Sequence, residues 1–235
     1  MANPEWTRRT ELILGTEGVA RLAKSRVAVI GLGGVGSFVV EALARAGIGC
    51  LVLVDPDKVD VTNINRQLPA TTKTLGRLKA EVVRERVLDI NPAAEVDILT
   101  EAYLPEQADR FFARHYDYVV DACDTVAAKI DLALQCERRG LRLIASMGAG
   151  NKLDPTRFQV ADIYETSMDP LARVMRRRLK ALGVQHLQVV YSREQPRQVP
   201  SRGERAPSPG SLSFVPSVAG LILAGEVIKE LAEVP

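Results

Sequence analysis

The 235-residue sequence predicts an α/β fold, a Rossmann-like, doubly wound and mostly parallel sheet with an N-terminal helix and a C-terminal extension. Three observations predict it. Short β-branched runs alternate with longer amphipathic segments over residues 1–150. The runs are rich in β-branched residues, and those at 27–30, 51–54 and 118–120 are apolar at every position, as in strands buried in a parallel sheet. A glycine-rich turn directly follows the first run, where doubly wound folds bind their ligands.

The elements of residues 1–150 follow in order from this pattern. Strands are predicted at 27–30, 51–54, 95–99, 118–120 and 141–145, and helices at 11–23, 35–46, 76–90 and 127–139. Gly47 and Gly140 directly follow two of the helices, as C-cap glycines do. Alternation of strand and helix implies right-handed crossovers, which build a doubly wound sheet.

The pattern is less regular after residue 150. Segment 171–182 predicts a cationic helix, and 187–191 predicts a strand. Segment 192–210 is rich in Pro, Arg, Ser and Gly, which predicts a mobile loop. Segment 217–232 predicts a strongly apolar helix that packs back on the sheet or forms a dimer interface.

The charges are distributed unevenly along the chain. Lys and Arg number 31 and Asp and Glu 29, so the net charge is only +2. Residues 171–205, however, hold nine basic and two acidic side chains, a local balance of +7 that leaves −5 for the remainder. An acidic body with a basic flank predicts an anionic macromolecular partner.

The composition also excludes several classes of protein. The first six residues show no basic region followed by an apolar stretch, so we expect no secretory signal. The most apolar segment, 212–228, is too interrupted for a transmembrane helix, so we expect no membrane association. Three cysteines without Cys-x-x-Cys spacing and two histidines argue against a disulfide framework or a zinc centre. We therefore expect a cytoplasmic protein.

The first predicted strand leads into Gly31-Leu32-Gly33-Gly34-Val35-Gly36 and then into a helix. The glycines allow a tight turn, and the helix N-terminus offers free N–H groups to a phosphate. Asp55 ends the second strand, where a carboxylate can accept hydrogen bonds from ribose hydroxyls. This fingerprint predicts a nucleotide site but does not distinguish a dinucleotide from ATP.

Residues further along favour ATP. Asn63-Ile64-Asn65-Arg66-Gln67 follows the second strand, Lys79 opens the next helix, and Asp121-Ala122-Cys123-Asp124 closes the fourth strand. All three groups lie near the carboxyl ends of strands or the starts of the helices that follow, where open α/β sheets bind ligands. Arginine and lysine neutralise a polyphosphate, and an aspartate can hold Mg²⁺. A dinucleotide has less need of such a set.

Together these motifs resemble the ThiF/MoeB/HesA superfamily of E1-like adenylating enzymes, which activate carboxylates as acyl-adenylates. Arg9 followed by Leu12-Ile13-Leu14-Gly15 belongs to the same likeness. The resemblance implies ATP and Mg²⁺ as cofactors and assigns a role to each motif residue. It places ribose on Asp55, the glycine loop (Gly31, Gly33, Gly34, Gly36) beneath the nucleotide, the triphosphate on Asn63, Arg66 and Lys79, Asp121 beside the nucleotide, and Mg²⁺ on Asp124; Arg9 reaches the nucleotide across a dimer.

Within the superfamily the chain is most similar to the group of tRNA threonylcarbamoyladenosine dehydratases. The likeness lies in Asn65-Arg66-Gln67, Ile90-Asn91-Pro92, Gly148-Ala149-Gly150, Asp154-Pro155-Thr156, Asp169-Pro170-Leu171 and the segment 210–220. It implies ATP-dependent cyclisation of the threonylcarbamoyl group on adenosine 37 of tRNA, through adenylation of the threonyl carboxylate. It also implies a homodimer and leaves open a sulfur-relay protein partner and a monovalent cation.

On this interpretation residues 1–235 form a single adenylating domain. Residues 1–150 are its nucleotide-binding core, and residues 151–235 serve the RNA substrate and dimerisation. The predicted cationic helix places Arg173, Arg176, Arg177 and Lys180 at spacings of three and four residues, on one outward face that fits RNA phosphates. A solvated, arginine-rich face without a partner is the alternative interpretation.

Other functions stay open at this point. An adenylyltransferase for a ubiquitin-like sulfur carrier has the same fold, but that branch often carries two Cys-x-x-Cys pairs. A NAD-dependent oxidoreductase shares the glycine loop but needs an acid–base pair that is not evident here. A non-catalytic nucleotide-sensing or tRNA-binding module is a further alternative. Cys123 lies between two aspartates that disfavour a thiolate, so we expect it to pack rather than to react.

Overall fold

The computed structural model describes residues 3–198 and 209–233. Within them the strands are β1 (Arg26–Ile30), β2 (Cys50–Val54), β3 (Glu95–Leu99), β4 (Tyr118–Asp121), β5 (Leu143–Ser146), β6 (Phe158–Asp162) and β7 (Gln188–Ser192). The helices are α1 (Arg8–Leu22), α2 (Gly36–Ala46), α3 (Lys79–Ile90), α4 (Ala108–Phe112), α5 (Val126–Arg139), α6 (Pro170–Ala181) and α7 (Phe214–Ala232).

The strands form one sheet in the order β3-β2-β1-β4-β5-β7-β6. All neighbours are parallel except β6 and β7, which are antiparallel. The order reverses at β1, which pairs with β2 on one side and with β4 on the other. Such a reversal opens a crevice at the carboxyl ends of the strands. The predicted Rossmann-like, doubly wound fold is confirmed.

Both faces of the sheet are covered by helices. On β1, Val27 and Val29 belong to the cluster formed with α2, α3 and α7, whereas Ala28 and Ile30 belong to the cluster formed with α4 and α5. A third cluster joins α5 and α6 to β5 and β7. Because every second residue of the central strand enters a different core, these strands need apolar residues at each position.

The helix boundaries show where local geometry differs from the periodicity. The helix predicted from residue 76 begins at Lys79, because Gly76 has φ of 79° and Leu78 is extended in an antiparallel bridge with Lys58. The last helix begins at Phe214, ahead of the predicted residue 217. Pro216 lies in its first turn, where a missing N–H costs nothing.

Helix α1 is interrupted at Gly15, where φ is 72°. Beyond this kink Gly18, Val19 and Leu22 are buried, whereas Leu12 and Ile13 before it are each 80% exposed. The N-terminal half of α1 therefore presents apolar side chains to the outside of this chain.

The predicted loop 192–210 lies largely outside the described residues, and so do Arg202 and Arg205. Among the residues that the structure describes, no helix is both long and apolar enough to cross a membrane.

Candidate nucleotide site

A cavity of about 520 Å³ opens at the carboxyl ends of β1, β2, β4 and β5. It extends from Asp55, after β2, to Ala149 and Gly150, after β5. These ends are three strand spacings apart in the sheet, or about 14 Å. The cavity is therefore long enough for a nucleotide at one end and a second reactant at the other.

The glycine loop forms the floor of this cavity. Gly31 has φ of 89°, and a Cβ there would lie 2.7 Å from the carbonyl oxygen of Ala122. A Cβ on Gly36 would overlap the carbonyl oxygen of Gly31. Gly31, Gly33 and Gly34 line the cavity, whereas Gly36 does not line it and begins α2. Gly36 therefore shapes the tight turn into α2 and does not line the cavity as Gly31, Gly33 and Gly34 do, which differs from its predicted place beneath the nucleotide.

Asp55 is nearly buried at the end of β2. The N–H of Leu32 donates to its Oδ2 at 2.7 Å, and the N–H of Asp57 donates to its Oδ1 at 2.9 Å. Burial raises the pKa of Asp55, and the Leu32 N–H and the Lys79 charge oppose that rise. The carboxylate is fixed by two backbone donors and lines the cavity, the arrangement expected of a ribose acceptor.

Replacing Asp55 by asparagine should weaken ATP binding by at least about tenfold, because an amide loses one acceptor oxygen. Burial raises the pKa of Asp55 in the folded chain above 3.8, so the folded chain keeps this proton to higher pH than the unfolded chain does. Between the two pKa values, the free energy of unfolding of the wild type therefore falls as pH rises. The stability of Asp55→Asn relative to the wild type should therefore increase as pH rises above about 4. Calorimetric ATP titrations and thermal melts check the two effects; a constant stability difference would contradict the second.

Lys79, the first residue of α3, places a buried amine in the cavity. Its Nζ lies 2.8 Å from Oδ2 of Asp57 and 4.0 Å from Oδ1 of Asp55. The Asp57 carboxylate is 65% exposed. It therefore stays hydrated if the Lys79 amine leaves it and pairs with a nucleotide phosphate. Asp57 was not predicted from the sequence as a site residue. The available signal was a second acidic residue two positions after Asp55, at the same strand end.

Asn63 and Arg66 line the same cavity from the segment after β2. Asn63 completes a capping box with Asp60, which fixes the short 3-10 turn Val61–Asn63. Nη1 of Arg66 donates to the carbonyl oxygen of Thr62 at 3.0 Å and to Oδ1 of Asn65 at 2.9 Å. These two bonds hold the guanidinium of a residue that lines the cavity where a polyphosphate is predicted.

Asp121 occupies a different place from the one predicted. Its side chain is 0% exposed and does not line the cavity. Oδ2 pairs at 2.9 Å with Nζ of Lys129, which is also 0% exposed, and Oδ1 accepts from the N–H and the thiol of Cys123. Asp121 thus holds the turn that carries the exposed Asp124 into the cavity.

Cys123 lines the cavity as a thiol rather than a thiolate. Burial raises its pKa far above the ordinary value, and the neighbouring Asp121 charge raises it further. A protonated thiol is a weak nucleophile, which agrees with the expectation that Cys123 packs rather than reacts.

A family model described as the ThiF family matches residues 7–235. The chain belongs to the ThiF family. It is 47% identical to the tRNA threonylcarbamoyladenosine dehydratase of Bacillus subtilis (strain 168), in a comparison that covers 95% of this chain and 93% of the relative. The predicted resemblance is confirmed.

Two solved structures of an enzyme of the same name are similar over nearly their whole length. The E. coli tRNA N6-threonylcarbamoyladenosine dehydratase, TcdA, in complex with AMP superposes with a TM-score of 0.91 at 34% identity, covering 99% of this chain and 97% of that chain. The complex of the same enzyme with ATP gives a TM-score of 0.89 at 34% identity, covering 99% and 97%.

Among the described residues of this ThiF-family chain, no three His, Cys, Asp or Glu side chains cluster as a metal site. Of the two carboxylates of the β4 turn, Asp121 and Asp124, only Asp124 lines the cavity. Mg²⁺ often takes only one or two protein carboxylates and completes its octahedron with phosphate oxygens and water. Asp124 fits that manner of binding, in which the nucleotide supplies the other ligands.

Arg9 does not line the cavity of its own chain but lies exposed on α1, before the Gly15 kink. Its predicted contact with the nucleotide of a second subunit stays a prediction.

Helix α6 presents part of the predicted basic face. Arg173, Arg177 and Lys180 are exposed, as is Arg178, which was not among the residues predicted for this face. Arg176 differs from the prediction, because it is half-buried and its Nη1 donates to the carbonyl oxygen of Thr166 at 2.8 Å. It anchors α6 to the preceding segment instead of pointing outward with the others.

The cavity also contains residues that had no predicted role. Gln67 is buried, and its Oε1 has no hydrogen-bond partner among the described residues, as expected of a polar group that awaits a ligand or water. Pro209 and Ser211 form part of the wall at the β5 end. Gln67 and Ser211 belong to motifs of the sequence but were given no role of their own, whereas Pro209 lies outside every motif and reaches the cavity through the tertiary fold.

Proposed function

We propose that this chain is an ATP-dependent tRNA threonylcarbamoyladenosine dehydratase, which cyclises the threonylcarbamoyl group of adenosine 37. The observation that carries the proposal is one cavity that combines Asp55, the glycine loop, Arg66, Lys79 and Asp124. Membership of the ThiF family and 47% identity to a dehydratase over 95% of the chain support it.

In this proposal ATP lies along the cavity from β2 towards β5. Asp55 accepts the ribose hydroxyls, and the free N–H groups of the glycine loop and of α2 face the phosphates. Asn63, Arg66 and Lys79 bind the triphosphate, and Asp124 holds Mg²⁺, which neutralises the phosphate charge when bound. The exposed carboxylate of Asp57 takes part by releasing Lys79 when the phosphates enter.

The chemistry follows in two steps. The threonyl carboxylate attacks the α-phosphorus of ATP, so that pyrophosphate leaves and an acyl-adenylate forms. A nucleophile of the threonylcarbamoyl group then attacks the acyl carbon, the ring closes and AMP leaves with the carboxylate oxygen. The substrate thereby loses one water. Arg66 and Lys79 stabilise the charge on the phosphates, and the nucleophile belongs to the substrate, so the protein needs no reactive thiol.

We also propose that the two parts of this single domain have different roles. Residues 1–150 bind the nucleotide, and residues 151–235 bind the tRNA and form the dimer. The exposed Phe214 and Leu221 of α7 support dimerisation through residues 151–235, and the exposed Leu12 and Ile13 of α1 would add to the dimer interface from residues 1–150. Arg9 of the partner subunit would then complete the site. A monovalent cation and a sulfur-relay protein partner rest on the resemblance alone.

The exposed residues of α6 suit contact with tRNA phosphates. Replacing Arg173, Arg177 and Lys180 by alanine should weaken tRNA binding and reduce the slope of log affinity against log salt by about one for each phosphate that these side chains neutralise. Arg176→Ala is the matched control on the same helix, because that side chain is already bound to Thr166. Filter binding at several salt concentrations measures the slopes. Equal slopes for the triple variant and the wild type would contradict the contact with tRNA and favour a solvated face of α6 without a partner.

The proposal is tested against carrier adenylation by measuring which substrate drives ATP–pyrophosphate exchange. We expect exchange, or AMP formation, with tRNA that bears threonylcarbamoyladenosine and none with a carrier peptide ending in Gly-Gly. The opposite pattern would favour a sulfur-carrier adenylyltransferase. Tight NAD binding without ATP binding would contradict both, and no histidine of the described residues lines the cavity to serve hydride transfer.

A further inference from the structure

The loop after β5 contains a residue in an unusual backbone conformation. Asn151 has φ of 58°, in the left-handed region that side chains other than asparagine, aspartate and glycine rarely adopt. It directly follows Gly150, which lines the cavity. Such a conformation next to a site is maintained only when the surrounding contacts specify it.

Asn151 binds two segments that are remote in sequence. Its N–H donates to the carbonyl oxygen of Gly210 at 2.7 Å, and the N–H of Gly210 donates back to its Oδ1 at 2.6 Å. Its own carbonyl oxygen accepts from the N–H of Arg197 at 2.7 Å. Asn151 and Gly210 are thus joined by two hydrogen bonds, and the one that Gly210 donates depends on the side-chain amide of Asn151.

The segment that Asn151 holds is a wall of the cavity. Pro209 and Ser211, on either side of Gly210, both line it. Pro209 packs closely on the β5 loop, since a Cβ on Gly150 would lie only 2.7 Å from the Cβ of Pro209. The wall 209–211 therefore has little freedom to move while its contacts with the loop are intact.

This wall is connected in turn to Arg66. Nδ2 of Asn65 donates to the carbonyl oxygen of Ser211 at 3.0 Å, and Oδ1 of the same amide accepts from Nη1 of Arg66 at 2.9 Å. Asn151 and Asn65 are thus two side chains that bind the wall from opposite sides, and one of them also orients the guanidinium.

We propose that Asn151 is a positioning residue for the adenylation step, which holds the wall 209–211 and, through Asn65, the guanidinium of Arg66. The inference rests on the proposed function, in which ribose occupies the β2 end and the acceptor carboxylate must therefore enter from the β5 end. Asn151 touches neither reactant. It fixes the distance between the acceptor and the phosphate.

The test compares two substitutions that both tolerate the left-handed backbone. Asn151→Gly removes the Oδ1 acceptor and keeps the conformation, whereas Asn151→Asp keeps an acceptor oxygen. We expect Asn151→Gly to lower kcat for dehydration of modified tRNA by about 10- to 100-fold, with Tm near the wild type and a smaller change in KM for ATP than in kcat. Asn151→Asp should restore most of kcat. Glu233→Gly, at another left-handed position outside the cavity, controls for the glycine itself.

Hydrogen exchange at the Gly210 amide gives a readout that does not need turnover. It should be fast in Asn151→Gly and protected in Asn151→Asp and the wild type. Protection in all three proteins, a wild-type kcat in Asn151→Gly, or a joint loss of Tm and ATP affinity would each overturn the positioning role. If wild-type enzyme dehydrates no tRNA, the proposed function fails, and the exchange data still decide whether Asn151 holds the wall.

Discussion

Replacing Arg66 or Lys79 by alanine should lower the rate of dehydration at least about 100-fold and leave the fold intact, because each side chain neutralises the phosphate charge that develops in the adenylation step. Arg66 is only half-buried, and the Asp57 carboxylate that pairs with Lys79 is 65% exposed, so it stays hydrated when the amine is lost. The buried Asp55 carboxylate, 4.0 Å from the same amine, keeps its two backbone N–H donors. Rates of AMP formation measure the first effect and circular dichroism melts the second.

Arg84→Ala is the matched control for both variants. Arg84 is exposed on α3, the helix that begins at Lys79, and does not line the cavity. It should leave the rate within about twofold of the wild type. Wild-type turnover in Arg66→Ala or Lys79→Ala would refute the proposed binding of phosphate by that side chain.

Lys129→Met should lower the free energy of unfolding by about 3–5 kcal/mol, the largest loss of stability that we expect from a single substitution here. The variant leaves the carboxylate of Asp121 buried at 0% exposure without its counter-charge. Urea denaturation measures the change. Since Asp121 also holds the Cys123 turn next to Asp124, activity should fall even where the variant is folded.

The double variant Asp121→Asn with Lys129→Met tests the physical reason for this loss. It removes both charges and keeps an amide oxygen that can accept from the Cys123 N–H, so it should recover most of the lost stability. A double variant as unstable as Lys129→Met would mean that packing, rather than the unpaired charge, causes the effect. A loss below about 1 kcal/mol in Lys129→Met would contradict the role of the pair.

The central strands were predicted well from the sequence because each must be apolar on both faces. β6 and α4 were not predicted. β6 is an antiparallel edge strand of mixed exposure, and α4 has only five residues, so neither shows a distinct period. Asp55 and Asp124 were found for the same reason as the strands, since they follow the apolar runs of β2 and β4, and Lys79 was found because it opens the helix after β2.

The remaining parts of the site depend on contacts between distant segments. Asp121 ends a strand as a ligand-binding aspartate does, and only the fold shows that Lys129 neutralises it beneath the site. Likewise, Arg176 does not join the predicted outward face of α6, because its side chain donates a hydrogen bond to the carbonyl oxygen of Thr166. The wall 209–211 depends on hydrogen bonds to Asn151 and Asn65 that no local pattern encodes.

The dehydration of tRNA is tested most directly by the mass of the modified nucleoside. Wild-type protein is incubated with ATP, Mg²⁺ and tRNA that bears threonylcarbamoyladenosine, and the tRNA is then digested to nucleosides for mass spectrometry. We predict that the modified nucleoside loses the mass of one water, only with ATP present and not with Arg66→Ala. An unchanged nucleoside mass, with ATP bound and the protein folded, would contradict the proposed activity.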